Sequence, residues 1–240
     1  MATSRGDART RRYDQNRERV IDVAARLFAQ QGYAATGVAQ IGDEAELARG
    51  ALYYYIGSKD ALLEAIHDRV MDPLLTDAVK IYTLDYRASV RLKLLSESLM
   101  DQVVNKRDHV WVFLHEYHQL EGESRTRFRE KRSDFESYVT RLLADGVAKG
   151  EFNVADLRLA TLAWLNLHNY TYQWLRSERG LDARRLSDFY IDLFFSGIAV
   201  AKPSEEFWQE TAQAREALAR EEGSSGNPAD IVTSVETTAS

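Results

Sequence analysis

The sequence predicts an all-α protein in two unequal parts, a small three-helix unit followed by a larger helical one. Three observations carry this. Apolar residues recur three and four apart along most of the chain, which is helix periodicity, and no period-two run of convincing length appears. Only three prolines interrupt 240 residues. An apolar fraction of 45% is enough to build a sizeable core.

From Arg17 to Gln31 the inward positions are Val20, Ile21, Ala24, Ala25, Leu27 and Phe28. The stretch "QGY" then stops the helix, with Gly32 suited to a left-handed terminal position. Thr36 or Gly37 opens a second helix, whose inner face is Val38 and Ile41 and which closes at Ala45. A third short helix runs from about Arg49 to Ile56, with Leu52 and Ile56 four apart and pointing inward. Gly57 ends it, and Ser58 caps a fourth that carries Ala61, Leu62, Leu63, Ile66 and Val70. Pro73 reads as the next break. Beyond it the pattern predicts helices over 74–84, 87–105, 108–120, 124–148, 154–177 and 183–200. After Pro203 one more helix is expected, and "GSSGNPADIVTSVETTAS" lacks a core and reads as disordered. The expected organisation is a basic flexible arm at 1–14, the first unit at 15–72, the second at 73–202, and the extra helix and tail at 203–240.

Composition narrows the function classes. Cysteine is absent, so disulfides and thiolate metal sites are excluded. No signal-peptide core or membrane-spanning run appears, and a soluble cytoplasmic protein with no membrane partner is expected. No nucleophile–base constellation, phosphate-cradling glycine loop or metal quartet is marked out, so no catalytic residue, cofactor or metal is expected. His115 and His118 alone do not define a metal site. The net charge of −6 hides an uneven distribution, because Arg5, Arg9, Arg11, Arg12, Arg17 and Arg19 crowd the start. Phosphate contact needs only a local positive face, since the Debye length is about 8 Å at physiological salt.

Two short helices joined by a turn and buttressed by a longer one describe a helix-turn-helix, whose second helix enters the major groove of DNA. On "ARGALYYYI" an arginine can read a guanine edge, small residues permit close approach and tyrosine hydroxyls can bond phosphates. Lys59, at the start of the next helix, suits a phosphate. Residues 17 to 70 resemble the DNA-binding domain of the TetR family of transcriptional regulators. The resemblance rests on Gly32-Tyr33, Thr36, Ile41-Gly42, Ala45-Glu46-Leu47-Ala48, Leu52-Tyr53-Tyr54-Tyr55-Ile56 and Ser58-Lys59. It departs from the family pattern where Glu46 replaces the turn glycine, Ala48 a serine cap, Gly42 an alanine and Gly37 a hydroxyl residue. Losing a hydroxyl cap costs about 1 kcal/mol, so a less stable hinge is expected. The resemblance implies double-stranded operator DNA as partner, with contacts from Gly37, Gln40, Arg49, Gly50, Ala51, Tyr53, Tyr54 and Lys59. Arg11 and Arg12 are arm candidates.

For the second unit the resemblance implies a regulatory domain that binds a small hydrophobic effector and forms a homodimer through its last two long helices. Phe189, Ile191, Leu193, Phe194 and Phe195 are hard to hide in a monomer. Aromatic and polar side chains interleave at helical spacing on three helices. Trp111, Phe113, Tyr117, His118, Tyr138, Trp164, His168 and Tyr172 are therefore the candidate walls for a bulky, mostly hydrophobic effector. The C-terminal half is similar to acyl-CoA-responsive members of the family, through Tyr172, Trp174, Arg176, Leu181 and Gly197. Leu165 and Asn169 stand where the steroid-ring repressors carry an arginine and a tryptophan. That is a departure from the pattern; the similarity still makes an acyl-CoA thioester a candidate effector, and the regulator is expected to be a repressor.

Overall fold

The computed structural model describes residues 5–47, 49–175, 181–198, 200 and 204–224; the side chains of 5–9, 49–51 and 221–224 lie outside it. Among the described residues every regular element is helical, and no helix is long and apolar enough to cross a membrane.

Helix α1 (Arg5–Gln31) buries Val20, Ile21, Ala24, Ala25, Leu27 and Phe28. It starts twelve residues before the expected Arg17, so from Arg5 the segment read as a flexible arm is helix. Arginine, alanine and glutamine favour helix there, and no proline intervenes. Gly32, at φ 87°, ends it. Helices α2 (Val38–Glu44) and α3 (Arg49–Ile56) follow, with Ile41, Leu52 and Ile56 buried as the spacing predicts.

The turn between α2 and α3 closes by two crossed bonds: Leu47 N–H donates to the Gly42 carbonyl (2.9 Å) and Glu46 N–H to that of Asp43 (3.2 Å). That is a Schellman turn, which needs a left-handed residue at its corner. Glu46 occupies the corner at φ 57°, the one non-glycine at positive φ among the described residues. A Cβ on Gly42 would meet Leu52 at an ordinary 3.4 Å, so that departure from the family pattern costs no space.

Ser58 caps α4 (Lys59–Thr83) by accepting from Ala61 N–H at 3.0 Å. Pro73 does not break this helix, contrary to the sequence expectation. A proline removes one rung and frees the carbonyl four residues earlier. Here that carbonyl belongs to Arg69, and it accepts from Lys106 Nζ at 3.2 Å. Helix α4 therefore runs without interruption from the first unit into the second.

The second unit wraps α5 (Ala88–Asn105), which is buried along most of its length. Around it lie α6 (Arg107–His115), α7 (Gly122–Ala148), α8 (Leu157–Asn169), α9 (Thr171–Trp174), α10 (Ala183–Ile198) and α11 (Glu205–Ser224). The helix expected over 154–177 is split at Tyr170 into α8 and α9, and the one expected over 108–120 ends at His115, followed by a 3-10 turn. Inside, Lys93 is fully buried, with Nζ 2.6 Å from Glu97 and 2.8 Å from Asp188. It donates to Ser187 Oγ (2.9 Å), which donates to Ser96 Oγ (2.7 Å), which lies 2.7 Å from His168 Nε2. His168 Nδ1 is 2.7 Å from the Trp164 carbonyl. A carbonyl only accepts, so Nδ1 carries the hydrogen and Nε2 accepts from Ser96.

Candidate nucleic-acid interface and effector cavity

The candidate nucleic-acid face is built on α1, α2 and α3. Gly37 is the exposed N-cap of α2 in extended conformation. Gln40, half-buried, accepts from Gln31 Nε2 at 2.8 Å. Arg49, Gly50 and Ala51 form the first turn of α3, and their side chains lie outside the described residues, as does Ala48. Tyr53 and Tyr54 project to solvent at 55% and 64% exposure, while Tyr55 is half-buried against α1. Arg11 and Arg12 are exposed on α1, on the same side as the α2–α3 turn, where they share an open groove with Arg19 and Glu46.

Lys59 is more committed than the sequence suggests. Its Nζ donates to the Tyr33 carbonyl at 2.6 Å and stands 4.1 Å from the centre of the Tyr33 ring. Burial lowers its pKa, against the opposing pull of Asp60 and Glu116. The Tyr33 hydroxyl donates to Asp60, and burial followed by that bond raises its pKa. Lys59 thus staples the α1–α2 turn onto α4.

In the second unit an enclosed, mostly apolar cavity of about 80 Å³ lies between α4, α5, α6, α7 and α8. Its walls include Val70, Met71, Leu74, Phe113, Phe135 and Leu165, and its polar edge is Arg132, Glu136, Asn166 and Asn169. Of the eight aromatic and histidine residues expected as walls, only Phe113 lines it; Leu165 and Asn169, singled out by position, also do. Trp164 and His168 are fully buried on another face of α8, packed toward α5 and α10. Tyr172 is buried with its hydroxyl 3.0 Å from His115 Nε2, and Trp111 stacks on His115. Tyr117 and His118 sit on the 3-10 turn at the surface, and Tyr138 packs edge-on to Tyr82. A larger open cleft of about 1010 Å³ runs between α1 and the α5–α6 turn. Its charges are paired across it, for Arg69 bonds Asp22 at 2.7 Å and also contacts Glu18.

The cavity helices also hold the first unit. Helix α6 touches α1 where His109 Nε2 lies 3.2 Å from Asp22, and just past its end buried Glu116 accepts from Tyr33 N–H in the α1–α2 turn at 3.1 Å. On the outside of α8 and α10, Leu159, Leu162, Phe189 and Leu193 are exposed, Phe189 by 64%. Ile191, Phe194 and Phe195, expected to need a partner chain, are buried within the chain itself. Arg176 lies outside the described residues.

Comparison with known proteins agrees with this geometry. Residues 20–66 match the family model described as bacterial regulatory proteins, tetR family, and residues 86–198 match the tetracyclin repressor-like C-terminal domain. The chain is 24% identical over 185 residues to the HTH-type transcriptional repressor KstR2 of Rhodococcus jostii, covering 76% of this chain and 91% of the repressor. The crystal structure of the TetR family regulator PfmR from Thermus thermophilus superposes with a TM-score of 0.69 at 26% identity, over 74% of this chain and 97% of PfmR. AibR, solved with isovaleryl coenzyme A and operator DNA, shares the fold with a TM-score of 0.66 at 20% identity, over 74% of this chain and 97% of AibR.

Proposed function

We propose, from the premise that the chain belongs to the TetR family of transcriptional regulators, that it is a repressor which grips a palindromic operator as a homodimer and is released by a slender hydrophobic effector. It is a regulator and not an enzyme, by family. The observation that carries the effector reading is that α4 and α6 wall the cavity with Val70, Met71 and Phe113 while Arg69 of α4 and His109 of α6 both contact Asp22 of α1. An effector shifts the equilibrium only by its different affinity for two states. A group entering between these helices meets that requirement by displacing them.

The cavity also limits the ligand. Drug-sized pockets measure about 300–1,000 Å³, well above about 80 Å³, so only a short acyl or similar chain enters before α7 and α8 part. Exposed Arg132 beside Asn166 and Asn169 suits a polar, anionic headgroup left outside. An acyl-CoA thioester combines both features, in keeping with the ligand that AibR carries. The exposed Leu159, Leu162, Phe189 and Leu193 support a two-fold interface through α8 and α10. In such a dimer the two α3 helices sit about 34–36 Å apart, or a small multiple, to enter successive major grooves.

The test is release of the protein from a DNA duplex selected from a random pool, titrated with acyl-CoA esters of increasing chain length, isovaleryl-CoA included. Short-chain esters are expected to release wild type, and Leu165→Trp to hold DNA yet ignore them. No release by any ester overturns the acyl-CoA reading, and unchanged induction of Leu165→Trp moves the pocket elsewhere. Arg49→Ala is expected to cost about 1–3 kcal/mol at one base position, and unaltered base preference overturns its role as a reader.

A further inference from the structure

We infer that the part of α1 preceding the family match belongs to the DNA-reading unit, with Tyr13 and Asn16 as positioning residues for the recognition helix α3. The inference rests on the DNA-binding reading above and adds residues that neither family match covers, since the first begins at residue 20.

Helix α3 is two turns long, and among its described side chains Leu52 and Ile56 are the buried anchors. Two such anchors, one turn apart, fix its distance from the core but leave it free to roll about that line. The flank is held by a triangle of rings. Tyr13 meets Tyr54 edge-on at 5.3 Å and Tyr55 at 5.1 Å, and Tyr54 meets Tyr55 at 5.3 Å. Aromatic pairs favour these separations and edge-to-face angles. Asn16 Nδ2 donates to Tyr55 Oη at 2.9 Å. Having accepted that bond, the Tyr55 hydroxyl keeps its own hydrogen to donate, and its rotor is restricted. Tyr54 remains 64% exposed, so a ring on the reading face is held in place by a residue of another helix. Exposed side chains ordinarily hop between rotamers within nanoseconds. Tyr13 removes that freedom where α3 has to present one surface.

The test compares wild type, Tyr13→Ala, Tyr13→Phe and Asn16→Ala on two duplexes: one selected from a random pool by the wild-type protein, and one of scrambled sequence and equal length. Thermal melting is recorded on the same samples. Tyr13→Ala is expected to bind the selected duplex about tenfold more weakly, the size of losing two ring pairs, with scrambled-duplex affinity within about twofold. Tyr13→Phe, which keeps the ring, is expected to restore wild-type discrimination, and Asn16→Ala to lose about threefold. If Tyr13→Ala melts early, Asn16→Ala and Tyr13→Phe carry the comparison. Discrimination equal to wild type in both alanine variants overturns the inference. So does an equal loss on both duplexes, which marks a phosphate contact in place of positioning. A wild-type protein that enriches no duplex overturns the DNA-binding reading itself.

Discussion

Lowering the pH from 7 to 5 is expected to remove about 4 kcal/mol of stability through two buried histidines. His67 is 3% exposed, lies between the rings of Phe113 and Phe128, and has no hydrogen-bond partner for either ring nitrogen among the described residues. Burial pushes its pKa down to about 4. His168 is fully buried and also falls to about 4, through burial first, with Lys93 adding to it and the bond to Trp164 opposing. In the unfolded chain both titrate near 6.5, so the unfolded state takes up protons first and stability falls with pH, from about 6.5 down to about 4. Each histidine contributes about 2 kcal/mol of the loss between pH 7 and 5, from a slope approaching 1.4 kcal/mol per pH unit. Burial alone raises the Glu97 carboxyl, but Arg215 and Lys93 outweigh it and leave it below its usual range, outside this window. Urea unfolding at pH 7, 6 and 5 measures the loss, and His67→Leu is expected to halve it. A flat profile in wild type, or an unchanged slope in His67→Leu, refutes the reasoning.

Other positions give separate expectations. Glu46→Gly relieves about 1 kcal/mol of left-handed strain, partly offset by the entropy of glycine in the unfolded chain. The ion pair it loses to Arg19 spans 4.0 Å between exposed side chains and is worth close to nothing. A net gain of about 0.5 kcal/mol in urea unfolding follows, and a loss contradicts the strain argument. Lys59→Met is expected to cost about 1–2 kcal/mol of stability through the Tyr33 bond and ring contact. A pure phosphate contact, by contrast, leaves melting unchanged and lowers the salt slope of DNA binding by about one. Gly146→Ala places a Cβ 2.1 Å from the buried Phe152 ring, so a loss of about 1–3 kcal/mol is expected. An unaltered melting temperature shows that the ring has room to move.

Local chemistry made the first unit legible. Gly32, Gly57 and Ser58 punctuate α1, α3 and α4 in the sequence where the structure places their ends, because φ freedom and hydroxyl capping are properties of single residues. The second unit was legible as helices but not in its joints. Pro73 announces a break that a distant lysine prevents. The break at Tyr170 carries neither glycine nor proline, and the polar groups beside it, His168 and Thr171, find partners at Ser96 and Tyr190 on other helices. The cavity was the least legible. Periodicity identifies which α8 residues point inward, and both Trp164 and Leu165 belong to the inward set. Which of them meets a void and which meets α5 depends on how five helices are spaced, and no single helix encodes that spacing.

The missing rung at Pro73 turns α4 into a lever. A helix that lacks one internal bond yields there before it yields elsewhere, and the carbonyl freed at the joint is bonded by Lys106 at the α5–α6 corner. From Lys59 to Pro73 the arm is about 21 Å long at ~1.5 Å per residue. A bend of about 5° at the joint swings its far end by about 2 Å, which is most of the reach of a hydrogen bond. Ser58 and Gly57 connect that end directly to α3. An angular change too small to alter the packing of either unit is therefore large enough to take the reading surface out of register with a base edge.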